Sequence, residues 1–489
     1  MTPSRRPMVL ANSAVSGATT APRALGLGRP SWWRVPRLTF LQRPLVARLA
    51  LPSMLLGTMV VVAWACSSQS LLVPGSYLAF PPWESGPLHL VLRWLPMDQN
   101  AMKDLLTFVV LMLLGAWAIA LVNLRSLSTR AIVATIVILH VIVLFSPPLQ
   151  LNDVFNYLGY ARLGAVHHLS PYTHVIRDEL HDPVYRFSSW HNLSSPYGPL
   201  FTAVSYPLAL LPLPVAYWLV KIATMLASLG LMALLYRCAR QLGRDPRYAL
   251  VFVALNPIYI VYAMGGFHND FFMLVPMLGA IALMLSGRDR RAGAVLMLAV
   301  AIKFTAVLLL PFLLVGVRRR RRQIDICAGA LAAALPLAAM SLALFGAHLP
   351  NLSDQSTLLT PFSITNLFGL LIGADGGSPG VLKAATVALV VCVAWLWYRR
   401  RDWLTSAGWA NVALIASLAW LMPWYVIWVL PFAALGTSRR LRRMAVVLTV
   451  FLVATFVPLA GNVFYGNGIN PLNTRVGHAS YALQKRLAR

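Results

Sequence analysis

The residue in this chain whose type and position best suit acid–base chemistry is Asp153. It comes shortly after an apolar segment that ends in Ser146-Pro147-Pro148, in a protein of which only 11% of the residues are charged. A carboxylate at the end of a membrane helix is energetically costly, so its presence there needs a reason. Because partial withdrawal from water makes a carboxylate a stronger base, we interpret Asp153 as a general base that removes a proton from a hydroxyl group.

The residues that follow Asp153 predict a polar, aromatic stripe. If they are helical, Asp153, Tyr157, Tyr160 and Gly164 share one face, because side chains three and four residues apart lie above one another. The alternative is that Asp153 caps this helix and that the tyrosines form an aromatic belt at the membrane interface. The residues alone leave both interpretations open.

A second polar cluster, Gly265-Gly266-Phe267-His268-Asn269-Asp270, separates two apolar segments. The glycines allow a tight turn and the close approach of a ligand. His268 and Asp270 could bind sugar hydroxyls or a phosphate. The alternative is an ordinary turn with a helix cap at Asn269 or Asp270.

Lys303 lies deep in an apolar segment, where an ammonium group needs an anion or a set of carbonyls. The phosphate of a lipid-linked sugar would serve, and the alternative is that the side chain extends to the cytoplasmic interface. The four cysteines and the histidines show no metal-binding spacing, so we expect neither a metal nor a cofactor.

Hydrophobic segments must position these residues, and composition indicates what kind. The chain has 489 residues, of which 58% are hydrophobic, and a mean hydropathy of +0.69. This profile predicts an all-α polytopic integral membrane protein. We place spanning segments near residues 49–69, 104–124, 131–148, 214–236, 248–264, 271–286, 324–345, 380–398, 406–421, 424–436 and 443–460.

The net charge of +27 follows the membrane topology and does not indicate nucleic-acid binding. The predicted topology places 29 of the 41 Lys and Arg on one side. That bias is typical of cytoplasmic loops, so the lipid bilayer is the expected partner of the basic face.

Residues 292–316 are apolar but basic at both ends, which predicts a re-entrant pair of half-helices that turns near Lys303. We therefore expect three parts. Residues 1–48 are a disordered basic cytoplasmic tail, residues 49–460 form the transmembrane domain with a large outer loop at about 149–213, and residues 461–489 are a C-terminal tail.

Several short motifs occur in order between about Ser146 and Phe312. They are Asp153-Val154-Phe155-Asn156-Tyr157, Ser170-Pro171-Tyr172, Trp190, Pro196-Tyr197-Gly198-Pro199, Asn256-Pro257, Gly265-Gly266-Phe267-His268-Asn269-Asp270 and Lys303. Together they resemble the actinobacterial polyprenol-phosphomannose-dependent α-1,6-mannosyltransferases of the GT-C class. The resemblance implies a GT-C-like bundle of about 11–13 transmembrane helices as the catalytic domain.

The resemblance also implies a reaction in the plasma (inner) membrane, with the active site on the outer face. Asp153 would deprotonate a hydroxyl of a glycan or glycolipid acceptor, which attacks the anomeric carbon of polyprenyl phosphomannose with inversion. An α-1,6 linkage would result. The leaving phosphate would be stabilised by cationic side chains. Residues expected to bind donor or acceptor are Asn152, Tyr157, Arg162, Arg177, Tyr197, His268, Asn269, Asp270 and Lys303.

Two alternatives remain at this point. A transporter or flippase of a lipid-linked sugar would also need many spans, but it needs a polar pathway through the membrane, and the polar residues of this chain collect at one rim. A GT-C enzyme that uses another polyprenyl-linked sugar would share the same motifs.

Overall fold

A computed structural model of the chain describes residues 44–67, 81–84, 87–92, 94, 98–149, 153–399 and 402–488. Most of the predicted tail at residues 1–48, and the candidate Asn152, lie outside these residues. Within them the chain forms α-helices, 3-10 helices and one π-helix, and no strand. The predicted all-α polytopic class is therefore confirmed.

The α-helices follow one another with short connections. In chain order they are α1 Pro44–Ser67, α2 Pro87–Leu92, α3 Gln99–Val122, α4 Thr129–Leu144, α5 Val154–Ala165, α6 Pro199–Ala209, α7 Leu213–Gln241, α8 Pro246–Ala254, α9 Asp270–Leu285, α10 Asp289–Ile302, α11 Leu310–Gly316, α12 Arg320–Phe345, α13 Ser353–Thr357, α14 Ile364–Leu371, α15 Pro379–Arg399, α16 Trp403–Ser417, α17 Leu430–Leu435, α18 Arg439–Phe456, α19 Pro458–Gly466 and α20 Arg475–Ala488.

Five helices in the described part of the chain are long and apolar enough to cross a membrane. They are Arg48–Cys66, Asn100–Val122, Leu213–Gln241, Arg320–Phe345 and Pro379–Arg399. A sixth arises if α18 and α19, which meet at 71°, form one broken span. Shorter apolar helices cover Thr129–Leu144, Asp270–Leu285, Phe304–Gly316 and Pro423–Leu435. The total of 11–13 transmembrane helices stays a prediction.

Several helices begin where the sequence supplies a capping oxygen. The Ser128 hydroxyl accepts a hydrogen bond from the Ala131 N–H (3.1 Å) at the start of α4. The Ser438 hydroxyl does the same for the Leu441 N–H (3.2 Å) at the start of α18. These bonds satisfy amides that lack a partner within the helix.

The predicted break near Lys303 is present. Helix α10 ends at Ile302, Lys303 is extended (φ −151°, ψ 118°), and a 3-10 helix runs from Phe304 to Leu309 before α11. The extended residue interrupts helical hydrogen bonding within an apolar stretch, which requires burial in protein. A return of the second half to the same side of the membrane stays a prediction.

The C-terminal helix α20 packs against the outer loop. The backbone N–H of Asn192 donates to the Leu487 carbonyl (2.9 Å), and its side-chain amide donates to the Arg486 carbonyl (2.8 Å). Leu487 is buried with Leu193 and Leu358. Helix α20 therefore lies on the same side of the protein as the outer loop.

Candidate active site

Asp153 lies immediately before α5, and its side chain is not used as a cap. Its backbone carbonyl accepts from the Tyr157 N–H (2.8 Å), but its carboxylate forms no capping hydrogen bond with the described residues. The side chain is 23% exposed. The capping alternative is therefore wrong for this carboxylate, which remains available for another partner.

His268 lies beside the Asp153 carboxylate. Its Nδ1 lies 3.4 Å from the Asp153 Oδ2, and the side chain is 1% exposed. The imidazole stacks on the Trp424 indole at a centroid distance of 3.6 Å and an angle of 15°. Neither ring nitrogen has a geometrically good hydrogen bond to a described residue. A buried polar group of this kind is expected to bind something, because an unpaired one is costly.

The segment that carries His268 is backbone-strained and tightly packed. A π-helix, Tyr259–Met264, leads into it, and Phe267 has a φ of +52°, which is uncommon for a residue with a side chain. A Cβ on Gly266 would lie 2.3 Å from His268 Nε2. Glycine at position 266 is thus required for the observed orientation of the imidazole.

A direct backbone bond joins the His268 segment to the approach to Asp153. The Leu149 N–H donates to the Gly265 carbonyl (2.8 Å), and a Cβ on Gly265 would meet Leu149 at 2.9 Å. Two polar clusters that are more than a hundred residues apart in the sequence therefore form one site.

Tyr157 makes a further link between the clusters. Its hydroxyl accepts from the Asn269 N–H (2.9 Å), and its ring meets the Tyr197 ring edge-on at 4.9 Å. Burial, and then the charge of Asp153, raise the pKa of Tyr157 and of Tyr197 well above the usual range, so both phenols stay protonated near neutral pH. The Asn269 side-chain nitrogen is buried and lacks a partner among the described residues.

Asp270 and Lys303 form the other half of the site. Asp270 is 1% exposed, and its Oδ1 accepts from Lys303 Nζ (2.7 Å) and from Trp428 Nε1 (2.6 Å). The ammonium also lies over the Tyr425 and Trp428 rings, at 5.4 and 5.0 Å. Lys303 thus meets a carboxylate within the protein, which argues against the alternative of an interfacial side chain.

Gly198 fixes the break at Lys303 from the other side. Its N–H donates to the Ile302 carbonyl (3.1 Å), and a Cβ there would lie 2.3 Å from the Ala301 carbonyl oxygen. The Pro196-Tyr197-Gly198-Pro199 motif therefore delivers Tyr197 to the site and supports Lys303.

Two of the expected binding residues lie elsewhere. Arg162 donates from Nε to both carboxylate oxygens of Asp182 (2.8 and 2.9 Å) and from Nη1 to the Ala209 carbonyl, so it fastens the outer loop. Arg177 lines a separate cavity of about 490 Å³. Asn192, Asp354, Arg486 and Leu487 complete its lining. Neither arginine contacts Asp153 or Lys303 within the described structure.

Three aromatic residues of the site were missed by sequence reasoning. Trp424, Tyr425 and Trp428 lie on a 3-10 helix, Pro423–Trp428, which hydropathy assigns to a span. Their clustering after a proline was the available signal. Among the described residues, no group of three or more His, Cys, Asp or Glu could hold a metal ion.

Comparison with known proteins places this geometry in context. The family model described as alpha-(1->6)-mannopyranosyltransferase, N-terminal domain, matches residues 68–319, and the model described as MptB C-terminal domain matches residues 380–477. Alpha-(1->6)-mannopyranosyltransferase A of Mycobacterium tuberculosis is 28% identical over 379 residues, which cover 68% of this chain and 70% of the relative. No solved structure gives a significant match.

Two further relatives have similar names. A probable alpha-(1->6)-mannopyranosyltransferase of Mycolicibacterium smegmatis is 25% identical over 398 residues, which cover 69% of this chain and 70% of the relative. Alpha-(1->6)-mannopyranosyltransferase A of Corynebacterium glutamicum is 28% identical over 185 residues, or 35% of each chain. The family-model match at residues 68–319 covers the segments that carry Asp153, His268 and Lys303.

Proposed function

The chain belongs to the alpha-(1->6)-mannopyranosyltransferase family, and from that premise we propose that it transfers a mannosyl residue from polyprenyl phosphomannose to a hydroxyl of a glycan or glycolipid. The linkage formed would be α-1,6, as the names of the relatives indicate. Residues 49–460 would be the catalytic domain of a multi-pass protein of the plasma membrane. The active site would lie on the outer face, beside the outer loop at 149–213.

The observation that carries this proposal is the group of unsatisfied polar side chains at Asp153. The carboxylate is not consumed by helix capping, and the adjacent His268 nitrogens and Asn269 amide are buried without good partners among the described residues. Buried polar groups are normally hydrogen-bonded, so a polar ligand is expected to complete these bonds. An acceptor hydroxyl placed there would meet a general base.

The reaction then follows from the residues present. Asp153 takes the proton of the acceptor hydroxyl, whose oxygen forms a bond to the anomeric carbon from the face opposite the phosphate. The bond between that carbon and the phosphate oxygen breaks, and the polyprenyl phosphate leaves with the electron pair. One displacement inverts the configuration, through a transition state with oxocarbenium character.

Hydrogen-bond donors near the site would stabilise the negative charge that develops on the leaving phosphate. The protonated Tyr157 and Tyr197 phenols and the remaining N–H bonds of Lys303 are available for this purpose. Because Asp270 already neutralises Lys303, the ammonium would bind the phosphate through directed hydrogen bonds more than through net charge.

Transfer of radiolabel from polyprenyl phosphomannose to membrane acceptors tests the proposal. Asp153→Asn should lower kcat by about 10²–10⁴-fold, because that is the usual contribution of a general base. Asp354→Asn, which changes an exposed acid on the same side of the protein, should transfer at the wild-type rate. Transfer by Asp153→Asn at the wild-type rate would refute the assignment of the base, and inactivity of the wild type would refute the donor.

A further inference from the structure

Lys221 is a buried cation that the proposed reaction does not use. It lies on α7, is fully buried, and donates from Nζ to the Ser146 carbonyl (2.7 Å). The ammonium also lies 3.9 Å from the centre of the Trp218 ring and 4.9 Å from those of Tyr217 and Phe267. Burial of a cation is costly unless such partners compensate it, so a lysine at this position needs a reason.

The partners of Lys221 belong to the two segments that carry the reacting groups. Ser146 opens the connection that leads through Leu149 to Asp153, and it is fully buried. Phe267 directly precedes His268 and is held at a φ of +52°. One ammonium group therefore contacts the segment that leads to Asp153 and the residue before His268, without contacting either reacting side chain.

Glu84 is a second buried ionisable residue in the same region. Its side chain is fully buried, and neither carboxylate oxygen has a hydrogen-bond partner in the described residues. Burial raises the pKa of Glu84 to about 8, and the charge of Lys221 acts in the opposite direction. The Tyr217 hydroxyl donates to the Glu84 carbonyl (2.8 Å), so the segment that carries Glu84 is bound to one of the rings around Lys221.

We propose that Lys221 is a positioning residue for mannosyl transfer, because its ammonium group, bound to the Ser146 carbonyl and to the Phe267 ring, sets the separation of Asp153 and His268. A neutral side chain of similar length, such as methionine, would fill the space but could neither donate to the Ser146 carbonyl nor make a cation–π contact with the ring. The two segments would then lose their common support, and the carboxylate would be misplaced relative to the acceptor hydroxyl. This inference rests on the proposed function for its kinetic consequence alone.

Lys221→Met tests the proposal, with Lys383→Met as the matched control because Lys383 is an exposed lysine of another membrane helix. We expect Lys221→Met to lower kcat at least ~10-fold, since small misplacements of catalytic groups have large effects, while the donor KM stays within ~2-fold. Lys383→Met should match the wild type. Equal losses in kcat and in donor affinity, or unchanged kcat, would overturn the proposal.

Hydrogen–deuterium exchange of the same variants gives a readout that does not depend on activity. In Lys221→Met, exchange should rise in peptides that cover residues 144–158 and 259–270 and stay unchanged elsewhere. A general rise would show a merely structural role and would overturn the proposal. If Lys221→Met does not fold, Phe267→Leu removes the ring that joins Lys221 to the His268 segment and should raise exchange at residues 259–270. If the wild type is inactive with this donor but the variant still shows the local rise in exchange, the donor assignment is refuted and the positioning role is not.

Discussion

Gly266→Ala should lower the rate of transfer although it leaves the side chains of Asp153 and His268 chemically unchanged. An added Cβ would lie 2.3 Å from His268 Nε2 and 2.8 Å from the Tyr262 carbonyl oxygen. Ordinary contacts of a Cβ begin at 3.4 Å, so the imidazole would have to move by ~1 Å. The imidazole also stacks on the Trp424 indole with ring centroids 3.6 Å apart, so it cannot move towards the indole without displacing it.

The expected magnitude follows from that displacement. The His268 Nδ1 lies 3.4 Å from the Asp153 Oδ2, and a shift of ~1 Å changes the surroundings of the base. Misplacement of this size can lower a rate about 10²-fold, which corresponds to roughly 2.7 kcal/mol of activation free energy. Overpacking should also lower the free energy of unfolding by about 1–3 kcal/mol.

The assay compares kcat/KM and thermal unfolding of Gly266→Ala with those of Gly279→Ala. Gly279 lies in α9, where an added Cβ meets Val295 at an ordinary 3.5 Å, so this variant should retain full activity. Wild-type kcat/KM in Gly266→Ala would refute the role assigned to the imidazole. Equal losses in both variants would show that alanine is harmful wherever it replaces a glycine in this protein.

Three further perturbations have defined outcomes. Lys303→Met leaves Asp270 buried without its counter-charge, so thermal unfolding should show a loss of about 3–5 kcal/mol and kinetics a raised donor KM, with stability partly restored by adding Asp270→Asn. Gly198→Ala should lower kcat, because its Cβ would collide with the Ala301 carbonyl beside Lys303. Since folding raises the pKa of Glu84 from 4.5 to about 8, unfolding temperatures should fall as the pH rises across that interval, and Glu84→Gln should flatten this dependence.

Each of these outcomes can fail in a recognisable way. A Lys303→Met protein as stable as the wild type would mean that Asp270 finds another partner. Wild-type kcat in Gly198→Ala would show that the break at Lys303 tolerates movement. A pH-independent unfolding temperature in the wild type would mean that the Glu84 carboxylate is solvated in the folded state.

The polar residues of the candidate site could be chosen from the sequence, because their types are unusual for their positions. An acid after a span and a lysine between two basic ends are costly in a membrane protein, and a glycine pair before a histidine allows a tight turn, so each one marks a constraint. Asp153, His268 and Lys303 were therefore recognisable as candidates, and so was the break at Lys303. Their grouping depends on the backbone bond from Leu149 to Gly265, which no local pattern indicates.

The remainder could not be deduced from residue type. Arg162 has the chemistry to bind a phosphate, but Asp182 occupies its guanidinium in a part of the loop that local sequence does not place. Trp424 and Trp428 count as hydrophobic residues in the composition. That classification does not reveal that one indole stacks on a histidine and that the other donates to a carboxylate. Aromatic residues with a polar edge are ambiguous in membrane sequences for that reason.

The contact between α20 and Asn192 joins residues that are almost 300 positions apart. The ribosome finishes the outer loop long before it reaches residues 475–488. The loop therefore lacks its contacts with α20 until the end of synthesis. Until residues 475–488 have been synthesised and have packed on the loop, Leu193 and Leu358 lack the leucine that covers them. A bulky reporter fused after α20 would therefore hinder the final packing of a loop that lies far from it in the sequence.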